Sequence, residues 1–231
     1  MKERPSAPGR LGRVASLAVG LLAIAAIAVA LSRLESASSG LIVEQTRAGA
    51  TPVKLYRPAS GAPAPVVIVA HGFAGSRQLM QPFALTLARN GYCVLSFDFP
   101  GHGRNPGPFV ARIEDQERRI EVLTRALEAT AGLALASPCS DGRMALLGHS
   151  MAGDVLVRYA ATHRDRVEAT VLLSPYLAED APTGEPRNLL IIYGSLEPEM
   201  LHQMGREAIA ATSGGVVEAG VVYGDPAAGT A

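Results

Sequence analysis

Residues 144–160 read MALLGHSMAGDVLVRYA. Four apolar residues, Met144 to Leu147, run straight into Gly148-His149-Ser150-Met151-Ala152, and an amphipathic run begins near Gly153. A buried-strand pattern gives way to a helical one within a few residues, which predicts a strand, an abrupt turn carrying Ser150, and a helix. Small residues around a serine let the backbone pass close to its neighbours while the hydroxyl stays exposed. Ser150 is therefore the first candidate for chemistry.

The same strand-to-loop transition recurs along the chain. VVIVA from Val66 leads to His71-Gly72-Phe73-Ala74-Gly75, CVLSFDF from Cys93 to Asp98-Phe99-Pro100-Gly101-His102-Gly103, and LLIIYG from Leu189 to Ser195-Leu196-Glu197. Helical patterns separate these runs: about Gln78 to Arg89, ended by Asn90-Gly91, a long charged one from about Arg112 to Ala131, and Gly153 to about Thr162. ATVLLS from Ala169 is a further strand. Continuously apolar strands alternating with helices predict a parallel sheet covered on both faces. Leu41 to Thr46 and Val53 to Arg57 read as a hairpin at the sheet edge. In such sheets ligands bind beyond the carboxyl ends of the strands, where the polar and glycine-rich segments recur.

The 231 residues are 48% apolar, enough for one large core, and carry no net charge. No basic stripe with interleaved aromatics appears, which sets nucleic acid aside. Cys93 and Cys139 form no ligand cluster and are expected as two buried thiols, bonded only in an oxidising compartment. Val14 to Leu31 is an unbroken apolar run of 18 residues, about 27 Å as a helix and thus long enough to cross a bilayer core. Lys2, Arg4, Arg10 and Arg13 precede it, which places the N-terminus in the cytoplasm. The expected organisation is a cytoplasmic N-terminus over 1–13, a single-pass anchor over 14–34 and an extracytoplasmic domain over 35–231. Cleavage as a signal peptide at Ser36-Ala37-Ser38 is the competing reading.

Taken together, GHSMA, HGFAG and DFPGHG in this order resemble the α/β-hydrolase superfamily from about Leu41 onward. The resemblance implies an α/β-hydrolase fold and a G-x-S-x-G nucleophile elbow at Gly148, His149, Ser150 and Met151, with Ala152 where the last glycine usually stands. It implies Ser150 as nucleophile, with the backbone N–H groups of Met151 and Phe73 as oxyanion donors. His71, Gly72, Gly148 and His149 shape the site, and Asp98 is structural. The acid falls on Glu197, with Asp180 or Glu179 as the alternative. In this superfamily the base is a histidine after a final strand, yet none follows His202, which lies only five residues past Glu197. Val216 to Tyr223 is either a last strand without its histidine, or the domain is C-terminally incomplete; the second is the expectation.

The connection from Pro175 to Asn188 is too short for a large lid, which implies an open site and a small esterase or dienelactone-hydrolase-like activity on acyl substrates. Serine at the elbow argues against a haloalkane dehalogenase. No P-loop or dinucleotide fingerprint appears, and neither metal nor cofactor is expected. The alternative is a non-catalytic α/β-hydrolase-like binding protein. Oligomeric state is left open.

Overall fold

The computed structural model describes residues 10–59, 61–110 and 115–213. The chain divides into two units, one ending at Ser39 and one beginning at Gly40. The first contains α1 (Arg10–Ser36). Its stretch Val14–Arg33 has a mean hydropathy of 2.7 and is long and apolar enough to cross a membrane. Its large apolar side chains, Val14 to Leu31, are exposed, so apolar residues surround the helix rather than forming one face.

The second unit contains β1 (Leu41–Ala48), β2 (Thr51–Pro58), β3 (Ala64–Ala70), α2 (Gln81–Arg89), β4 (Cys93–Phe97), α3 (Gln116–Leu135), β5 (Ser140–His149), α4 (Ala152–Thr162), β6 (Val167–Leu173), β7 (Leu189–Ile192) and α5 (Glu199–Ser213). The sheet order is β1-β2-β4-β3-β5-β6-β7. β1 and β2 form the expected edge hairpin, and β2 meets β4 antiparallel. The pairs from β4 through β7 are parallel. Every residue of β4 is buried, as a strand covered on both faces requires. One apolar cluster joins α3 and α4 to the sheet through Leu127, Leu146 and Leu156. The other joins α2 to it through Val69, Ala84 and Val94.

α2 begins three residues later than its pattern suggested, with a proline in its first turn, where a missing N–H is harmless. β5 begins four residues before Met144, because Ser140 pairs with Ala64 across a register shift. The expected helix from Arg112 is described from Gln116; residues 111–114, the N-terminal residues up to 9 and the candidate strand Val216 to Tyr223 lie outside the described residues.

The cysteines correct one expectation. Rather than two thiols, Cys93 and Cys139 form a disulfide, with Cα atoms 5.8 Å apart. Both flank the start of β3: Cys93 pairs with Val66, and the Cys139 carbonyl accepts the Ala64 N–H at 2.8 Å. Sheet pairing therefore brings together two residues that are remote in sequence.

Candidate active site

Among the described residues, three that are not glycine have φ in the left-handed region: Ala74 at 53°, Ser150 at 51° and Ser174 at 45°. They follow β3, β5 and β6 at the same end of the sheet. Such conformations cost roughly 1–3 kcal/mol each and persist only where the surroundings enforce them. At Ser150 the enforcement is visible. Its N–H donates to the Leu173 carbonyl at 3.0 Å, and its own carbonyl accepts the N–H groups of Gly153 at 2.9 Å and Tyr176 at 3.2 Å.

Close approach explains the small residues. A Cβ on Gly148 would lie 2.5 Å from Leu156 Cδ1, and one on Gly153 would lie 2.5 Å from Pro175 Cβ. Ala152 is fully buried yet fits, so Gly153 is the glycine that packing demands after the serine. A Cβ on Gly72 would come within 2.7 Å of His149 Nδ1 and 3.0 Å of Ser150 Cβ. The HGFAG loop is thus pressed directly against the elbow. Among the described residues, no hydrogen bond takes the N–H of Phe73 or of Met151, and both lie beside Ser150 in the chain or against its loop.

His71 is fully buried. Its Nε2 accepts the Phe99 N–H at 3.0 Å, so Nδ1 carries the hydrogen and donates to the Gly72 carbonyl at 2.8 Å. Burial pushes its pKa below the ordinary 6.5, and the ring is neutral. Asp98, also fully buried, accepts the backbone N–H groups of Arg77 at 2.8 Å and Arg104 at 3.1 Å, and its carboxylate lies 3.6 Å from Arg77 Nε. It ties the Arg77 loop to the turn after β4. Arg77 was not legible as its partner, because the two are joined only by the fold.

Glu197 sits in the turn after β7. Its Oε1 accepts the Ser174 hydroxyl and, at 3.0 Å, the Gly194 N–H. These two donors, the hydroxyl foremost, hold its carboxyl below the ordinary 4.5. Oε2 is shielded from solvent and has no partner. The alternative acid, Asp180, is committed elsewhere, to Arg158 at 2.5 Å.

The histidines are accounted for one by one. His102 Nδ1 contacts the Pro100 carbonyl at 3.0 Å, His163 stacks on Tyr159 at 4.0 Å, and His202 lies 5.5 Å from the Tyr193 ring. His149 Nδ1 is buried without a partner. Among the described residues, no histidine hydrogen-bonds to Ser150 Oγ. A cavity of about 540 Å³ lies at the far ends of the strands, beside Cys93 and Cys139. Its charged lining residues, Glu44 and Arg57, pair with each other at 3.4 Å, and the hydroxyl of its Ser137 contacts Cys139 Sγ at 3.1 Å. No group of His, Cys, Asp and Glu suited to a metal occurs among the described residues.

Comparison with known proteins agrees with this geometry. A family model described as serine aminopeptidase, S33, matches residues 61–213, more than half of the chain. An uncharacterised Mycobacterium tuberculosis protein is 34% identical over 145 residues, which are 60% of this chain and 48% of that protein. The chain therefore spans about half the length of the curated relatives it matches. The structure of Thermus thermophilus TT1662 superposes with a TM-score of 0.62 at 18% identity, covering 78% of this chain and 85% of that one. A proposed dienelactone hydrolase from Klebsiella pneumoniae gives 0.55 at 18% identity, covering 74% and 81%. At such identities the likeness is one of fold. With strand order and family match in agreement, the chain belongs to the serine aminopeptidase S33 family of the α/β-hydrolase superfamily.

Proposed function

We propose that this protein is a membrane-anchored serine hydrolase acting on carboxylic esters or related acyl groups. The observation that carries the reading is Ser150 at φ 51°, held between β5 and α4 with its carbonyl and N–H engaged and its side chain left to react. In this reading Ser150 Oγ attacks the acyl carbon, and the developing oxyanion is met by the N–H groups of Met151 and Phe73 at the positive end of α4. The serine proton passes to an imidazole and then to the leaving alcohol; water repeats the sequence on the acyl-serine. Glu197 orients that imidazole through its unpartnered Oε2, while Ser174 and Gly194 keep the carboxylate ionised. None of the five histidines is assigned as the base.

The N-terminal charges support a cytoplasmic N-terminus, with α1 as anchor and the folded unit outside the cytoplasm. The disulfide agrees, since such bonds persist in oxidising compartments. The short stretch between β6 and β7 supports an open site and a small acyl substrate.

The test is made on the full-length product of the gene. It should take a fluorophosphonate label and hydrolyse p-nitrophenyl acetate, with both abolished in Ser150→Ala. Labelling that survives in that variant would sink the assignment. A second reading, a non-catalytic binding protein of the same fold, is favoured by the lack of a histidine bonded to Ser150 among the described residues. It expects neither label nor turnover in the unaltered protein.

A further inference from the structure

A second cavity, of about 90 Å³, is lined by three cations from three separate segments: Lys54 on β2, Arg77 on the loop entering α2, and Arg104 on the turn after β4. Asp98 is the carboxylate in contact with this group, and it is already saturated by the backbone N–H groups of Arg77 and Arg104 and by Arg77 Nε. Among the described residues, Lys54 and Arg104 have no carboxylate within ion-pair distance. Three cations against one carboxylate leave two positive charges uncompensated. Arg77 is only 5% exposed and is the cation matched by Asp98, whereas the two uncompensated ones, half-buried Lys54 and exposed Arg104, are open to a ligand from solvent.

The field is felt within the group itself. Burial, then Arg77 and Arg104, push the Lys54 ammonium below its ordinary pKa, the direction expected where like charges converge. Its Nζ lies 5.3 Å from the Tyr56 ring centroid, a contact that gives a cation some relief but no hydrogen bond.

The rest of the wall is Tyr56 and three glutamines, whose amides can donate. Gln45 faces Lys54 across the β1–β2 pair. Gln78 and Gln81 stand at the entry to α2, whose cap residue Met80 makes no side-chain bond to the first turn.

We infer that this cavity binds a phosphoryl group, either free phosphate or the phosphate-monoester head of a lipid. A phosphoryl group brings several acceptor oxygens and up to two negative charges, which match two unpaired cations and a set of amide and guanidinium donors. A carboxylate has two oxygens and one charge, and would leave one cation unmet. The site is separate from Ser150 and does not depend on the hydrolase reading.

Isothermal titration calorimetry on the full chain in neutral detergent, at ionic strength fixed with sodium chloride, tests the inference. Inorganic phosphate should bind saturably at one site, and acetate should bind more weakly. Lys54→Gln and Arg104→Gln should each weaken phosphate binding roughly tenfold or more, as expected for one lost charge-assisted hydrogen bond. Neither side chain holds another element through a hydrogen bond, so both variants should keep the circular dichroism of the parent. Dihexanoyl-phosphatidic acid, with dihexanoyl-phosphatidylcholine as control, identifies the source. Tighter binding of the acid than of phosphate assigns the site to a lipid head, and equal or weaker binding assigns it to free phosphate. The inference is overturned if neither phosphate ligand binds saturably, if acetate binds as well as phosphate, or if both variants bind phosphate as the parent does.

Discussion

Gly103 shows how tightly single residues are constrained around the site. Its φ is 54°, and a Cβ there would lie 2.4 Å from Asp98 Oδ1. Gly103→Ala therefore combines a strained backbone with displacement of a buried carboxylate. It should cost about 1–3 kcal/mol or more and lower Tm by roughly 5 °C or more in a thermal scan. His71 makes a second prediction at this scale, one of pH. Its folded-state pKa is depressed by burial, so the unfolded chain binds the proton more readily. The contribution of this ring to stability is complete above about 6.5 and is lost as pH falls from there through the lower folded value. Thermal scans from neutral to mildly acidic pH should show Tm falling across that window. His71→Gln, which has no proton to gain, should show a shallower fall.

Between elements, the contact that matters is the HGFAG loop against the elbow. Gly72→Ala would set a methyl against His149 Nδ1 and Ser150 Cβ and push the loop carrying Phe73 away from the nucleophile. If Phe73 N–H is an oxyanion donor, kcat/KM for p-nitrophenyl acetate should fall on the order of 100-fold, the cost of one such donor. Gly132→Ala is the control. It lies in α3 with nothing within 4 Å of the added methyl, and should add about 0.5–1 kcal/mol of stability with activity unchanged.

Elements of this kind were the easiest to read. The apolar runs of β3, β4 and the second half of β5 declare themselves because both faces of the sheet are covered. The exposed start of β5, Ser140 to Arg143, carries no such signal and exists because Ala64 offers it a partner. The elbow and the DFPGHG turn were legible because tight backbone geometry restricts residue choice. Arg77 with Asp98, and Ser174 with Glu197, were not: each pair meets only through tertiary packing, and arginine or serine alone has no pattern. Ala152 looked like a departure, whereas the glycine that packing demands stands one place later, at Gly153.

At the scale of the whole molecule, the Cys93–Cys139 bond spans a sequence separation of 46 residues. Closing such a loop removes unfolded-state entropy worth about 4 kcal/mol on the chain-entropy account. Replacing both cysteines by alanine, or adding dithiothreitol, should lower Tm by on the order of 10 °C in differential scanning calorimetry. An unchanged Tm would mean that sheet pairing alone supplies the constraint. The enclosed segment holds β4, Asp98 and all of α3, so the bond fastens a central strand and one of the helices that cover it. On the topology proposed above, maturation is tied to delivery. A copy retained among cytoplasmic reductants would carry the full sequence yet lack this fastening, and would be the more open to proteolysis. On that proposal the covalent link acts as a checkpoint on secretion, sparing the copies that have reached the oxidising side of the membrane.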